Sequence, residues 1–173
     1  MNLAEHFQIL ARYNRVANER LYEACAQLSD EERRRQRAGS FGSIHALLNH
    51  LLLGDRIWMT RFVAASDASR PGGAGRMTPP LDTILFENFD DLRRARAAKD
   101  ASIETFFSNL HDDACAQSFA YINNQGKHYV EPALVAFSHF FNHQTHHRGQ
   151  IHVMLSQTAV APPSLDLHRI INP

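Results

Sequence analysis

Five of the eleven histidines lie within one fifteen-residue stretch, Ser138–His152. On an α-helix four residues advance by about 400°, so His143 and His147 would lie one turn apart on nearly the same face. Two imidazoles in that arrangement can bind one metal ion, as the histidines of an H-E-x-x-H helix do. Gln144 stands where that motif has its glutamate, so the spacing of a zinc protease occurs without its general base. The stretch therefore predicts a metal site and argues against a protease.

Spacing alone leaves the ligands on this helix undecided. His139, His143, His146 and His147 would fall within about 100° of arc, so a His139–His143 pair and a His143–His147 pair are equally acceptable. His152 would lie opposite His143 and is a weaker candidate. A purely structural alternative is that these histidines hydrogen-bond to one another. Metal binding is favoured because a second apolar helix presents a further histidine to the same interior.

Four segments carry apolar residues at helical spacing, which predicts four amphipathic helices. Counted along the chain, they cover about residues 2–27, 44–62, 89–110 and 132–157. Ser43 is the predicted N-cap of the second helix, and Pro132 is the predicted first residue of the fourth. Asn14 in the first helix is expected to form hydrogen bonds inside the assembly. The charged residues of the third helix are expected to face solvent: Arg93, Arg94, Arg96, Lys99, Asp100 and Glu104.

Two connections carry further information. The segment Ala64–Pro80 is rich in Ser, Gly and Pro, and its length leaves room for a crossover between the second and third helices. Two short aromatic and β-branched runs, 117–122 and 127–130, flank the turn Asn123–Gly126 and predict a β-hairpin before the fourth helix. That hairpin would either cap one end of the helices or shape the rim of a pocket.

The second helix is apolar around more than half of its circumference, which predicts packing against two neighbours. His50 lies on its buried side beside Leu51. A lone histidine there would usually be a hydrogen-bonded core residue, but the histidine pair elsewhere makes it the candidate third ligand. His45 is expected to lie outside the site. The outer apolar face needs a cover from the C-terminal tail, with Leu165 and Ile170, or from a second copy of the chain, and a two-fold dimer is favoured.

The composition restricts the class of protein. Apolar residues make up 44% and charged residues 21%, and the 173 residues fit a single domain, 1–173. The formal net charge of zero gives no general attraction to nucleic acid or membrane, and no secretory signal or membrane span is evident. Cys25 and Cys115 form no C-x-x-C pair and are predicted to be reduced, buried thiols. The chain is therefore predicted to be soluble and cytoplasmic.

Three stretches resemble the DinB/YfiT-like family of metalloenzymes: Leu48–Trp58, His139–Gln150 and Pro162–Leu167. The resemblance covers essentially the whole chain in order. It implies an all-α fold, a four-helix bundle with a long crossover between helices 2 and 3 and a small β-hairpin before helix 4.

The resemblance also implies a ligand set and a range of functions. The family's metal histidines map onto His50, His143 and His147, which leaves His146 beside the ligands or exposed. Three neutral nitrogens suit a divalent zinc or nickel ion and leave a position for water or substrate. Some relatives are thiol-dependent transferases or isomerases, which implies a small-molecule substrate and a low-molecular-weight thiol, and relatives often look dimeric. The alternatives are a metal-dependent hydrolase and a non-catalytic metal- or ligand-binding bundle, in which the metal would be structural.

Overall fold

The computed structural model describes residues 1–66, 78–123 and 125–172 of the chain. Within these ranges the elements, in chain order, are α1 (Leu3–Ala26), α2 (Asp30–Arg34), α3 (Ile44–Ser66), α4 (Phe89–Ser108), α5 (Asp112–Cys115), β1 (Ser118–Ile122), β2 (His128–Pro132), α6 (Ala133–Leu155) and α7 (Leu167–Ile171). The predicted helical character and the hairpin are confirmed. Most of the long connection predicted at Ala64–Pro80 falls on residues 67–77, which lie outside the described residues. The four-helix bundle with its crossover therefore stays a prediction.

The long helices begin where the sequence supplies capping side chains. Asn2 and Glu5 form a reciprocal capping box at α1, with both hydrogen bonds at 2.9 Å. Ser43 caps α3 as predicted, because its Oγ accepts from the Ala46 N–H at 3.2 Å. The prediction that Pro132 is the first residue of the fourth helix was wrong by one position. α6 begins at Ala133, and Pro132, whose backbone is extended (ψ 131°), is its N-cap. It instead ends β2, paired with Ser118.

The hairpin is antiparallel, and its register pairs Ser118 with Pro132 and Ile122 with His128. Asn123 closes the turn, because its Oδ1 accepts from the backbone N–H of Gln125 at 2.9 Å and of Lys127 at 3.0 Å. The hairpin packs against α3 and α6. Since a two-stranded hairpin is marginal by itself, these helix contacts hold it in place.

Two apolar clusters form most of the core. One is dominated by aromatic side chains from α1, α3, α4 and α6: Phe7, Phe62, Phe107, Phe137, Phe140 and Phe141. The other is dominated by aliphatic side chains of the same four helices: Leu21, Leu48, Leu52, Leu92, Ile151 and Leu155. Within the described ranges, no helix combines the length and apolar composition that crossing a membrane requires.

A buried polar network also links the four long helices. Its members are at most 3% exposed: Asn14, Asn18, Asp55, Arg96, Asp100, Gln144 and Arg148. Arg96 donates to Asp55 at 2.6 Å and to Asp100 at 3.0 Å, and Asn18 donates to the same Asp100 at 2.9 Å. The expected hydrogen bonding of Asn14 inside the assembly is confirmed, since Arg148 donates to its Oδ1.

The expectation that Arg96 and Asp100 face solvent was wrong. The two residues lie one turn apart on α4 and form an ion pair that is buried on both sides. Asp55 of α3 supplies the second carboxylate that Arg96 needs in the interior. Because helical periodicity marks only the apolar stripe, it cannot reveal a charge that is buried with a partner from another helix.

Most apolar residues of α3 are buried by the chain's own helices, while Val63 is exposed. Its core residues are at most 3% exposed: Ile44, Leu47, Leu48, Leu51, Leu52, Leu53, Met59 and Phe62. The C-terminal tail packs against α1, where Ile170 and Leu165 contact Tyr13 and Ala17, and the Tyr13 hydroxyl donates to the Leu165 carbonyl at 2.7 Å. The tail, which was one of the two possible covers for α3, therefore packs on a different helix, and the favoured dimer stays a prediction.

Both cysteines are free and buried, as the sequence predicted. Burial raises the pKa of the Cys25 thiol to about 12, and burial also raises the pKa of Cys115. Since the thiolate is the reactive form, neither group should act as a nucleophile near neutral pH. We expect the native protein to leave Ellman's reagent unreacted at about pH 8. Unfolding in urea should release both thiols, and rapid reaction of one thiol in the native protein would contradict this assignment.

Candidate metal centre

Three histidines from two helices meet beside the core. His50 lies on α3, and His143 and His147 lie one turn apart on α6. The Nε2 atom of His50 lies 3.3 Å from that of His143 and 3.2 Å from that of His147. One nitrogen from each ring lies within 4.8 Å of the other two, so the group could hold a metal ion. The structure thus brings together the three histidines that the family resemblance singled out.

Hydrogen bonds to carbonyl oxygens fix which nitrogen of two rings carries the proton. His50 Nδ1 lies 2.8 Å from the Leu81 carbonyl oxygen, and His147 Nδ1 lies 2.8 Å from Oε1 of Gln150. A carbonyl oxygen only accepts, so each Nδ1 must donate and each Nε2 is left with a lone pair. Partners of this kind also orient the histidine ligands of metal sites.

The two proton-free nitrogens therefore face one another. With His50 Nε2 and His147 Nε2 only 3.2 Å apart, the lone pairs repel unless a positive charge lies between them. The alternative that the histidines simply hydrogen-bond among themselves fails for this pair, because neither Nε2 atom carries a proton to donate. Nitrogens bound tetrahedrally at 2.0–2.1 Å from zinc lie about 3.3 Å apart, and the observed separations agree with that value.

The surroundings keep all three rings neutral. Burial lowers the pKa of His50 and of His147. The pKa of His143 is lowered to about 3, mainly by burial and then by the neighbouring His147 and His50, whose positive charge would repel its own. A neutral imidazole is the form that binds a metal. The cluster is therefore ready to bind a cation near neutral pH without first releasing protons.

The other histidines of α6 lie outside the cluster. The exposed His139 packs its ring 5.1 Å from that of Trp58 and 6.0 Å from that of His143. His146 is also exposed, and its Nε2 lies 3.1 Å from the amide nitrogen of Gln150, the residue that orients His147. The geometry thus favours the pair His143–His147 over His139–His143. It leaves His146 outside the cluster, in contact with the residue that orients His147.

Two further histidines have partners of their own. His152 Nε2 lies 3.2 Å from the carbonyl oxygen of Pro163, which ties α6 to the chain that follows it. His45 is buried, and its Nε2 lies 3.0 Å from the carbonyl oxygen of Phe86. The expectation that His45 lies outside the site is confirmed, and the weaker candidate His152 also lies outside it.

Several residues that support the cluster were not predicted from the sequence. The ring of Phe41 stacks on that of His50 with centres 3.9 Å apart. In the described part of the chain, Phe41 is the single non-glycine residue with positive φ, at 69°. That conformation costs on the order of 1–3 kcal/mol for a residue with a side chain, and the stacking holds it in place. Gln150 could have been found from its position three residues after His147, but no sequence signal identifies Phe41 or Leu81.

Gln144, which follows His143, points away from the cluster. It is fully buried, and its amide donates to the Asp55 carboxylate in the buried polar network. The side chain after His143 is thus turned into the core, where it joins α6 to α3. The missing general base of the H-E-x-x-H pattern therefore reflects a structural role for this position.

A cavity of about 370 Å³ adjoins the cluster. Its described lining is His50, Gly54, Ile57, Trp58, Arg61, Leu81, Asn123, Gln125, His139 and His143. Two ligand candidates thus face the cavity, and the hairpin turn forms part of its rim, which is the second of the two roles expected for the hairpin. None of the described lining residues is a carboxylate. The cavity is large enough for a small molecule.

Gly54 leaves room for the ring of His143. A Cβ built on Gly54 would lie 3.0 Å from Cε1 of His143 and 3.6 Å from Nδ1, so the ring would have to move by a few tenths of an ångström. We expect Gly54→Ala to weaken zinc binding about 10- to 100-fold, the range seen when the groups supporting metal ligands are altered. Competition with a chromogenic zinc chelator measures this affinity.

Gly149 provides the matched control on α6. A Cβ there would meet no atom within 4 Å, so Gly149→Ala should leave zinc affinity unchanged. It should also stabilise the helix by about 0.5–1 kcal/mol, because alanine replaces glycine in a helix. Equal zinc affinity in the Gly54→Ala protein and in the wild type would show that the Gly54–His143 contact has no bearing on binding.

Comparisons with known proteins agree with this fold. The sequence model of the DinB family matches residues 2–173. No protein of curated function matches the sequence significantly. Among solved structures, a DinB-like protein from Bacillus cereus is similar with a TM-score of 0.60 and 15% sequence identity, over 86% of this chain and 89% of that chain. At that identity the likeness concerns the fold. The match of the family model over nearly the whole sequence shows that the chain belongs to the DinB family.

Proposed function

We propose that His50, His143 and His147 bind one divalent metal ion, zinc or nickel. The observation that carries the proposal is the pair of proton-free Nε2 atoms of His50 and His147 at 3.2 Å. All-nitrogen coordination by neutral imidazoles suits these metals better than calcium or magnesium, which prefer oxygen. Three protein ligands leave at least one coordination position for water or substrate.

We further propose that the site belongs to a thiol-dependent transferase. A bound divalent ion lowers the pKa of a coordinated thiol and so makes a thiolate available at neutral pH. The chain contributes the three imidazoles, which burial keeps neutral, and Leu81 and Gln150 orient two of them, His50 and His147. The described lining of the cavity contains no carboxylate to act as a general base for hydrolysis, and a thiolate needs none.

In the proposed reaction the thiolate sulfur attacks an electrophilic carbon of a small-molecule substrate. A carbon–sulfur bond forms, and the bond to the leaving group breaks, with its electron pair departing on that group. The apolar walls of the cavity, including Ile57 and Trp58, would exclude water and favour this transfer over hydrolysis.

A screen of the metal-loaded protein tests the function. Glutathione, cysteine and other small thiols are combined with aryl halide and epoxide electrophiles, and loss of thiol and formation of thioether are followed. We expect turnover with at least one pair, and none with the His50→Ala variant. Metal binding and thermal stabilisation without turnover for any pair would support the alternative, a non-catalytic metal-binding protein.

A metal-dependent hydrolase is a second candidate, favoured by one observation. His139 lines the cavity beside His143 and is exposed, so it could accept a proton from a metal-activated water. Ester hydrolysis by the metal-loaded protein that is lost in the His139→Ala variant would favour this candidate over the transferase.

We also propose that the four long helices form one four-helix bundle with a crossover between α3 and α4. We propose further that this bundle is a single domain and that it forms a homodimer. The contacts of α1 with α4 and α6, and of α3 with α4 and α6, support the bundle. Light scattering measures the assembly: a mass of twice the 19.6 kDa chain is expected. A mass of one chain would exclude the dimer.

A further inference from the structure

We propose that Arg61 binds a carboxylate of the molecule that occupies the cavity, so that the natural substrates are small carboxylic acids. Arg61 lies on α3 and lines the same cavity as His50 and His143. That the bound molecule is a substrate rests on the proposed function. The anion site itself rests on the surroundings of Arg61 and can be tested without metal.

Arg61 packs against an edge-to-face pair of aromatic rings, whose centres lie 5.5 Å apart. The guanidinium lies 4.7 Å from the centre of the Trp58 ring and 4.4 Å from that of Tyr121 in β1. A guanidinium that packs against aromatic rings on one side is attracted to them and keeps the N–H groups on its other side free to donate. A planar carboxylate is the group that accepts two such bonds at once.

No carboxylate in the described part of the chain pairs with Arg61. Arg96, by contrast, has Asp55 at 2.6 Å and Asp100 at 2.8 Å. Burial lowers the pKa of Arg61, which means that the group loses hydration without gaining a counter-charge. A half-buried cation without a partner is costly, and an anionic ligand would relieve that cost.

The other polar groups of the cavity agree with an anionic ligand. Asn123 and Gln125 at the rim carry neutral amides, and the remaining polar lining residues are histidines. An anion entering the cavity would therefore meet Arg61 and no opposing negative charge from the described lining.

Helix geometry sets the size of the ligand. His50, Gly54, Trp58 and Arg61 follow one another at steps of three and four residues, so they lie along one face of α3. Arg61 lies eleven positions after His50, about 16 Å along the helix axis. The guanidinium lies over Trp58, three residues nearer to His50, so the distance to be spanned is shorter, on the order of 10 Å. An elongated molecule with a sulfur at one end and a carboxylate at the other would fit.

Trp58 provides a direct signal, because it is the only tryptophan of the chain. The metal-free protein is titrated with hexanoate and with hexan-1-ol, which differ in the charged end, and the fluorescence of Trp58 is followed. We expect hexanoate to bind at least about tenfold more tightly, the gain from a hydrogen-bonded charged group. Equal affinities for the two compounds would overturn the proposal.

Variants connect the preference to Arg61. Arg61→Gln should abolish the advantage of hexanoate, and Arg61→Lys, which keeps the charge but loses the planar fork, should retain part of it. Arg56→Gln is the matched control, since Arg56 lies on the same helix with its guanidinium over a different ring, that of Phe86. It should keep the full preference. An undiminished preference in Arg61→Gln, with the fold verified by circular dichroism, would overturn the assignment.

Two further binding experiments distinguish a carboxylate site from a phosphate site, and the anion site from the proposed thiol chemistry. Tighter binding of hexyl phosphate than of hexanoate would overturn the assignment to carboxylates. In the zinc-loaded protein, 6-mercaptohexanoate should bind more tightly than hexanoate, because its thiol reaches the metal. If that thiol adds nothing while hexanoate keeps its preference in the metal-free protein, the anion site stands and the proposed thiol chemistry fails.

Discussion

Replacing His143 with alanine is expected to lower the metal content of the purified protein from about one ion per chain to nearly none. His143 contributes one of the three nitrogens of the cluster, and its Nε2 lies 3.3 Å from that of His50 on α3. Two remaining imidazoles bind a divalent ion far more weakly, since a complete ligand set is what gives such sites their affinity. Elemental analysis after dialysis against metal-free buffer measures the loss.

Thermal unfolding gives an independent measure of the same effect. A ligand present at 100 times its dissociation constant stabilises the native state by about 2.7 kcal/mol. Added zinc should therefore raise the melting temperature of the wild type and leave that of His143→Ala unchanged. Because the ion would join α3 to α6, the stabilisation is expected whether or not the site is catalytic.

His139→Ala is the matched control for this experiment. His139 precedes His143 by one turn on α6 and lines the same cavity, but its nitrogens are not part of the cluster. It should keep the metal content of the wild type. Loss of metal in His139→Ala equal to that in His143→Ala would favour the other histidine pair, and full metal content in His143→Ala would refute the ligand assignment.

Removing the carboxylate of Asp55 is expected to destabilise the protein by about 3–5 kcal/mol, the cost of breaking a buried ion pair on one side. Asp55 accepts from Arg96 at 2.6 Å and also from the amide of Gln144. In Asp55→Ala the guanidinium of Arg96 would lose one of its two buried carboxylates. Urea unfolding of the metal-free protein measures the change, and a fall in melting temperature of roughly 6–20 °C should accompany it.

Glu19→Ala serves as the control for Asp55. Glu19 pairs with Arg15 on the surface of α1 at 3.5 Å, with both side chains well exposed. Such pairs contribute about 0–1 kcal/mol, so this variant should unfold almost as the wild type does. A loss of stability in Asp55→Ala no larger than that in Glu19→Ala would show that the buried polar network contributes little.

The Asp55 variant also tests how the network is related to the metal centre. Gln144, the partner of Asp55, is adjacent to His143 on α6, and Gly54, which contacts the His143 ring, is adjacent to Asp55 on α3. The network therefore helps to fix the spacing of the two helices that carry the cluster. We infer that Asp55→Asn, which keeps the shape of the side chain, would lose less metal affinity than Asp55→Ala.

The sequence by itself determined the local features of this protein. Apolar spacing gave the four long helices, Ser43 marked the start of α3, and the turn at Asn123 gave the hairpin, because each depends on residues that are close together in the chain. The four-residue step from His143 to His147 likewise placed both rings on one side of α6 before any tertiary contact was known.

The tertiary structure decided what depends on residues far apart in the chain. The approach of His50 to His143, across 93 positions, follows from the packing of α3 against α6. That packing selects His147 over His139 as the neighbour of His50. The packing of α4 against α1 and α3 buries Arg96, which the helical pattern of α4 had assigned to solvent. Periodicity records only which residues are apolar, whereas the burial of a charge depends on a partner from another helix, which only the folded chain supplies.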